Sequence, residues 1–131
     1  MTTSASGKRI GAIQDIVNLD ENGLICAVIQ HYKTGQVLMV GYMNRQSLEY
    51  TLRERKACFW SRSRQKLWVK GETSGNVLRV KQVRTDCDAD ALLLQCDPAG
   101  PACHTKETSC FYRNVEADGS VCLAGDGVAE N

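Results

Sequence analysis

Three aspartates alternate with other residues in the segment DCDAD, at positions 86, 88 and 90. Side chains two residues apart in an extended segment point to the same side and lie roughly 7 Å from one another. The sequence therefore predicts that Asp86, Asp88 and Asp90 share one face of a strand and that Cys87 points to the opposite face. Carboxylates held this close repel one another unless a cation lies among them. Because oxygen ligands select hard ions, the segment indicates either an Mg²⁺ or Ca²⁺ site or a solvated acidic turn.

A second group of possible ligands consists of Cys87, Cys103, His104 and Cys110. Thiolate and imidazole ligands are typical of Zn²⁺, and a catalytic zinc site keeps three protein ligands and one open position. The C-x₂₋₄-C pairs of structural zinc ribbons are absent from this group. The spacing therefore favours an open site of three cysteines over a structural zinc site, with buried structural thiols as the alternative. His104 is interpreted as a fourth ligand or as a general base beside a zinc-bound water.

Cys87 creates a geometric problem, because it faces away from the carboxylates that flank it. One short strand would offer a hard-ion site on one side and a soft thiolate on the other. We expect Cys87 to reach across a subunit interface and complete the zinc site of a partner chain.

The segment FWSRSRQKLWVKGETSGN (59–76) combines basic, hydroxyl and aromatic side chains. On an extended segment, Arg62 and Arg64 would point the same way, and guanidinium groups match phosphate oxygens bidentately. The glycine of ETSGN lets backbone N–H groups approach an anion. Trp60 and Trp68 are candidates for stacking on a base. The alternative is a solvated hairpin whose indoles pack in the core.

A strand-rich α+β single domain with one main helix must position these side chains. The runs 24–32 and 36–43 predict a β-hairpin, and 44–55, capped by Asn44, predicts the helix. Further strands are predicted over 57–61, 66–70, 77–85, 91–96 and 109–115.

The remaining segments are predicted to lack regular structure. Residues 97–103 hold both prolines and a glycine, which predicts a loop. Residues 1–12 indicate a flexible lead-in, and residues 116–131 an irregular tail.

Length and composition limit the class of protein. A chain of 131 residues suits one domain, 1–131, and a net charge of +1 gives no reason to expect a nucleic-acid partner. No apolar run approaches the ~20 residues that span a bilayer, so we expect no membrane partner and a cytoplasmic location, where thiols stay reduced. Seven cysteines, an odd number, cannot all pair within one chain.

The motifs closely resemble those of phosphoribosyl-AMP cyclohydrolase, a family of histidine biosynthesis. The matching stretches, over about residues 23–113, are GLICAVIQ, GQVLMVGYMN, FWSRSR, KGETSGN, DCDADALLLQC and GPACHTKETSCF. The resemblance implies a zinc- and magnesium-dependent hydrolase that opens the adenine ring of 1-(5-phosphoribosyl)-AMP at the N1–C6 bond, the third step of the pathway. It also implies a homodimer with the active site at the subunit interface.

The resemblance assigns roles to individual residues. It implies Mg²⁺ ligands at Asp86, Asp88 and Asp90, and Zn²⁺ ligands at Cys87, Cys103 and Cys110, with Cys87 donated across the homodimer interface. His104 matches the family's candidate general base or zinc neighbour. The implied substrate-binding residues are Trp60, Ser61, Arg62, Ser63, Arg64, Lys70, Glu72, Ser74, Gly75 and Asn76. His31 departs from the family, which usually has an acidic residue there.

Two other functions compete with this interpretation. A small zinc-stabilised module could bind nucleotide or RNA through its Trp and Arg residues without catalysis. A zinc nucleobase deaminase is the nearer alternative, but the sequence lacks the H-x-E…P-C-x-x-C pattern of those enzymes.

Overall fold

A computed structural model describes residues 7–124 of the chain, which contain two helices and eight strands. The elements are α1 (Ile13–Ile16), β1 (Ile25–His31), β2 (Val37–Met43), α2 (Arg45–Glu54), β3 (Cys58–Ser61), β4 (Lys66–Val69), β5 (Leu78–Thr85), β6 (Ala91–Pro98), β7 (Arg113–Val115) and β8 (Val121–Leu123). The predicted strand-rich α+β architecture with one main helix, α2, is confirmed. That residues 1–131 form one domain stays a prediction.

Four strands form the main sheet, in the spatial order β2-β1-β6-β5. β1 and β2 form an antiparallel hairpin, β5 and β6 are also antiparallel, and β6 runs parallel to β1. The chain between the two parallel strands contains α2 and a second hairpin, β3-β4. The parallel pairing brings the β5–β6 turn next to the start of β1, since Ala91 pairs with Cys26.

One face of the sheet forms the hydrophobic core because apolar residues alternate along its strands. Ala27 and Ile29 of β1 are fully buried, and the register places Leu92 and Leu94 of β6 beside them. Residues of α2 and Phe59 of β3 belong to the same core. The opposite face of the sheet is therefore left for contacts outside this core.

The approach of β3 to β2 depends on a glycine. A Cβ atom at Gly41 would lie 2.6 Å from the ring of Phe59, so only glycine leaves room for that ring against the β2 backbone. The β3-β4 hairpin is thereby held beside β2, together with the residues that follow Phe59.

Side chains at both ends of α2 fix its boundaries. Asn44 accepts a hydrogen bond from the Ser47 N–H, and the Ser47 hydroxyl accepts one from the Asn44 N–H, both at 2.8 Å. This reciprocal capping box satisfies donors that the helix leaves free. The helix ends at Arg55, whose φ of 59° is left-handed. Thr51 accepts a hydrogen bond from the Cys58 N–H at 3.0 Å, which ties α2 to β3.

The predicted loop over 97–103 begins later than expected. β6 continues to Pro98 because Leu78 and Arg79 of β5 pair with Pro98 and Asp97. An ion pair between Arg79 and Asp97, at 3.1 Å, supports this extension. The prediction of a loop from residue 97 is wrong at its first two positions.

The predicted last strand, 109–115, is shorter in the structure, where only Arg113–Val115 is a strand. It pairs with β8, so the prediction of an irregular tail is wrong at Val121–Leu123. Asp118 accepts hydrogen bonds from both the N–H and the hydroxyl of Ser120, and Gly119 has a φ of 89°. Asp-Gly is a strong hairpin signal that the sequence prediction overlooked. Residues 125–131 lie outside the described residues.

The predicted lead-in over 1–12 is described only from residue 7. Residues 7–12 contain no helix or strand, and α1, which follows, is not predicted by the sequence. Within residues 7–124, no helix has the length and hydrophobicity needed to cross a membrane.

Candidate metal and substrate site

The acidic segment is a turn between β5 and β6, and the prediction of an extended strand is wrong. Asp86 Oδ1 accepts hydrogen bonds from the N–H groups of Asp90 (3.0 Å) and Ala91 (3.2 Å). Ala89 has a left-handed φ of 58°, and its N–H donates to the Asp86 carbonyl. Short polar side chains that bond nearby backbone groups favour turns over strands, and Asp86 does so here.

The turn nevertheless brings the three carboxylates together. Oxygen atoms of Asp86, Asp88 and Asp90 lie within 4.8 Å of one another, and all three residues are exposed. Hydrogen bonds to Asp88 and Asp86 raise the pKa of Asp90 to about 6. Desolvation acts to raise the pKa of Asp86, but hydrogen bonds from Asp90 and from backbone N–H groups outweigh it and lower that pKa. An exposed, all-oxygen donor set of this kind fits Mg²⁺.

Two of the predicted zinc-binding cysteines lie on the loop between β6 and β7, which is anchored to β2. The Ser109 hydroxyl donates a hydrogen bond to the Val37 carbonyl, and the Cys110 N–H donates to the Leu38 carbonyl, both at 2.7 Å. Cys103 and Cys110 are close enough for each thiol to affect the pKa of the other. The loop therefore places a pair of sulfurs beside the first residues of β2.

The two sulfurs of this pair differ in their protonation chemistry. The Thr105 hydroxyl donates a hydrogen bond to Cys103 Sγ at 3.0 Å, and this bond is the main cause of a lowered pKa at Cys103. The pKa of Cys110 is raised to about 11. Desolvation of the sulfur is the largest cause, and the nearby Cys103 is the next. The positive charge of Lys70 acts to lower the pKa of both thiols. Thiolate sulfur is a preferred zinc ligand, and the donor set fits that metal.

The third cysteine does not join this pair within one chain. Cys87 is exposed in the acidic turn. Within residues 7–124, the three aspartates are the one group of three or more potential ligand side chains whose atoms lie within 4.8 Å of one another. His104 is exposed and is likewise outside such a group with Cys103 and Cys110. The structure brings together two of the three predicted zinc ligands.

The basic segment is also a turn, so the prediction of an extended segment on which Arg62 and Arg64 point the same way is wrong. The Gln65 N–H donates to the Ser61 carbonyl at 2.7 Å, and the Arg64 N–H donates to Ser61 Oγ at 3.2 Å. The Gln65 side chain donates to the Arg62 carbonyl at 2.8 Å. The Arg62 guanidinium lies 4.2 Å from the centre of the Tyr42 ring, within the range of cation–π attraction.

Two cavities lie on either side of Arg62. The larger, of about 590 Å³, is lined by Val40, Gly41, Tyr42, Phe59, Trp60, Ser61, Arg62, Ser63 and Trp68. The smaller, of about 390 Å³, is lined by Asn22, Leu24, Asn44, Trp60, Arg62 and Gln65. Trp60 is half-buried and Trp68 is 39% exposed, whereas Phe59 occupies the core. The alternative in which both indoles pack in the core is therefore wrong.

The loop after β4 lies beside the larger cavity and holds the remaining predicted substrate residues. Lys70, Glu72 and Ser74 line a third cavity of about 200 Å³ that shares Trp68 with the larger one. A Cβ atom at Gly100 would lie 2.3 Å from the side-chain oxygen of Asn76. The Asn76 side chain therefore packs against the start of the loop that carries Cys103. Gly75, with a φ of 85°, closes the turn before it.

Comparison with known proteins identifies the family of this chain. The family model for phosphoribosyl-AMP cyclohydrolase matches residues 39–112. The chain belongs to the phosphoribosyl-AMP cyclohydrolase family. A relative of that name from Chloroherpeton thalassium is 61% identical over 82% of this chain and 77% of its own. A relative of the same name from Rhizorhabdus wittichii is 55% identical over 76% of this chain and 81% of its own. Another from Zymomonas mobilis is 50% identical over 83% of this chain and 88% of its own.

The cyclohydrolase match covers the residues from which the site is built. All the predicted metal and substrate residues fall within 39–112, including the acidic turn and the cysteine pair. Asn22 and Leu24, which line the smaller cavity, lie before the matched range. The chain is thus a member of an enzyme family, as the sequence predicts.

His31 is the last residue of β1. Its Nδ1 atom accepts hydrogen bonds from the N–H groups of Lys33 (3.1 Å) and Thr34 (3.3 Å). An acceptor at this position caps the β1–β2 turn, and a carboxylate can do the same. The structure gives His31 a role in the turn.

Sequence reasoning missed two side chains that contact the predicted site. Tyr42 follows Gly41 by one residue, and strand alternation in β2 would have placed it on the face opposite Met43. Thr105 follows His104 directly, but nothing in the sequence shows that its hydroxyl turns back to Cys103 rather than to solvent.

Proposed function

We propose that this protein hydrolyses 1-(5-phosphoribosyl)-AMP and opens the adenine ring at the N1–C6 bond, as the third step of histidine biosynthesis in the cytoplasm. Zn²⁺ and Mg²⁺ are its cofactors. The family to which the chain belongs supports the substrate, and the donor atoms of the two clusters support the metals.

The observation that carries the proposal is the position of the cysteine pair relative to the larger cavity. Cys110 is bonded to the Leu38 backbone, and Val40, two residues further along β2, lines the cavity. Lys70, whose charge acts on both thiols, also lies 5.7 Å from the ring centre of Trp68. A soft-metal ligand pair is thus adjacent to an aromatic cavity that suits a nucleobase.

Zinc would be held by Cys103 and Cys110 of one chain together with a third ligand. A zinc ion there supplies Lewis acidity that lowers the pKa of water toward ~7. The hydrogen bond from Thr105 lowers the pKa of Cys103, which favours the deprotonated form that metal binding requires. Asp86, Asp88 and Asp90 would hold Mg²⁺, which commonly joins carboxylates to phosphate oxygens.

The chain's own residues bind and orient the substrate. Trp60 and Trp68 flank the larger cavity, where stacking on aromatic rings would fix the purine. Arg62, held on Tyr42, presents its guanidinium to phosphate oxygens. The residues proposed to bind substrate are Trp60, Ser61, Arg62, Ser63, Arg64, Lys70, Glu72, Ser74, Gly75 and Asn76.

His104 is proposed as the general base. It follows Cys103 directly and is exposed, so its imidazole is free to take a proton from the attacking water. Attack at C6 forms the C–O bond and breaks the C6–N1 bond. The ring nitrogen N1 leaves C6, takes up a proton and stays attached to the product through C2, while the exocyclic amino group stays on C6.

The third zinc ligand is proposed to be Cys87 of a second copy in a homodimer. Cys87 lies beside the start of β1, where Ala91 pairs with Cys26. The cysteine pair lies toward the other end of β1, because Met39, the residue after Leu38, pairs with Ile29. A two-fold axis across the strands exchanges these ends, so each Cys87 would meet the partner's cysteine pair.

The sheet face opposite the core supports this pairing. Val28 of β1 is flanked by Val40 of β2 and Leu93 of β6 in the register. Val40 is 42% exposed, and the other two are half-buried. An apolar strip at this position suits contact with a second copy, and it borders the larger cavity through Val40.

The proposal is tested by incubating the zinc- and magnesium-loaded protein with phosphoribosyl-AMP and following the ultraviolet change on ring opening, with ammonia measured in parallel. We expect ring opening without ammonia. Ammonia release would instead support a deaminase, and an unchanged spectrum would contradict both activities.

Matched variants separate the two metals. Cys103→Ser should lose ring opening and bound zinc, whereas Cys122→Ser, at an exposed cysteine of β8, should keep both. Asp88→Asn should lose the response to Mg²⁺, whereas Asp15→Asn, at an exposed aspartate of α1, should keep it. Full activity in a folded Cys103→Ser variant would refute the zinc mechanism.

A further inference from the structure

The two cavities around Arg62 share one wall and differ in chemistry. Trp60 and Arg62 line both. The larger cavity is mainly aromatic and aliphatic, with serine hydroxyls at one side. The smaller one is mainly polar, and its amide side chains are Asn22, Asn44 and Gln65. Their volumes, about 590 and 390 Å³, both suit small ligands.

We propose that the two cavities are two subsites for one substrate, with the AMP moiety in the larger cavity and the phosphoribosyl arm in the smaller. Arg62 and Trp60 form the partition at the junction of the two moieties. This inference rests on the proposed function, because it assumes a substrate in which a phosphoribosyl group is attached to AMP.

The larger cavity suits the AMP moiety because it offers aromatic surface to a purine. Tyr42, Trp60 and Trp68 line it, and nucleobases stack favourably on aromatic side chains. A purine held there lies next to Val40, on the strand whose Leu38 carbonyl binds Cys110. The reacting ring is therefore on the side of the cysteine pair.

The smaller cavity suits a sugar phosphate because it offers hydrogen-bonding groups and positive potential. Amide side chains both donate to and accept from sugar hydroxyls. Asn44 is the N-cap of α2, so the positive end of that ten-residue helix borders the cavity, which favours a phosphate. Arg62, which lines both cavities, adds a full positive charge.

Arg62 can serve at the partition because two contacts hold it there. Its guanidinium lies over Tyr42, in the larger cavity, and its carbonyl accepts the hydrogen bond from Gln65, in the smaller one. The side chain of Arg62 thus contacts the larger cavity, and its backbone contacts the smaller one. A substrate that spans the partition would contact Arg62 with each of its two halves.

The test uses the two halves as separate probes, AMP and ribose 5-phosphate, titrated into the metal-loaded full chain and followed by NMR. We expect both to bind the wild-type protein together, with neither displacing the other. Displacement of one probe by the other would overturn the proposal. Failure of either probe to bind at millimolar concentration would also overturn it.

Two tryptophan substitutions at exposed positions fill one cavity each. Asn22→Trp should weaken ribose 5-phosphate binding by about tenfold or more and leave AMP binding unchanged. Ser63→Trp should do the reverse. The side chains of Asn22 and Ser63 lie at the surface, so we expect both variants to fold, which circular dichroism checks.

The outcomes separate this inference from the proposed function. The subsite assignment alone would be overturned if the wild-type protein opens the ring but Asn22→Trp loses binding of both probes, or of AMP only. Absence of ring opening by the wild-type protein would overturn the proposed function, whichever probes bind. The competition experiment needs no variant, so the assignment can fail even if a variant does not fold.

Discussion

Sharing of Cys87 between subunits predicts that two inactive variants restore activity when they are combined. In a heterodimer of Cys87→Ser and Cys103→Ser subunits, one site has Cys103 and Cys110 from the first subunit and Cys87 from the second, and is intact. The other site lacks both Cys87 and Cys103. Because one of two equivalent sites survives, the heterodimer should show about half of the wild-type activity and of its bound zinc.

The assay uses two affinity tags, so that heterodimers are purified from both homodimers before zinc and ring opening are measured. Each homodimer should be inactive. A heterodimer of Cys103→Ser with Cys110→Ser subunits is the matched control, because both of its sites lack a ligand. If Cys87 served its own chain, the first heterodimer would be as inactive as the control, and the argument from the sheet would be refuted.

Three further results are expected. Thr105→Val removes the 3.0 Å hydrogen bond to Cys103 and should weaken zinc retention against a chelator about 10- to 100-fold. Thr105→Ser should retain zinc, and equal loss of zinc in both variants would contradict a role for the hydroxyl. Gly41→Ala forces a Cβ to within 2.6 Å of Phe59 and should lower the free energy of unfolding by about 1–3 kcal/mol in urea titrations, whereas Gly7→Ala, with open space around it, should not. Chelation should abolish activity while the far-ultraviolet circular dichroism is retained, because α2 and the main sheet form the core without metal ligands; unfolding on chelation would favour a zinc-stabilised binding module.

Apolar runs predicted the strands of the main sheet because burial follows directly from residue type. Ala27 and Ile29 are buried beside Leu92 and Leu94 for that reason. Strand alternation was the wrong expectation for the acidic and basic segments, where polar side chains bond the backbone. Asp86 accepts two backbone hydrogen bonds, which converts an expected strand into a turn.

The candidate site was predicted in its residue types but not in its arrangement. The carboxylates converge through the turn, and not through the strand periodicity from which their convergence was inferred. The contact of Arg62 with Tyr42 depends on how the β3-β4 hairpin packs on β2, which sequence spacing does not encode. The separation of Cys87 from the cysteine pair follows from the parallel pairing of β1 with β6, a long-range contact.

The most direct test of the account is ring opening of phosphoribosyl-AMP in ¹⁸O-labelled water, with the product analysed by mass spectrometry. Attack of water at C6 predicts a product that has gained one water, carries the label on the carbon that was C6 and keeps its amino nitrogen. A product that retains the intact purine ring, or that carries the label after loss of ammonia, would contradict the account.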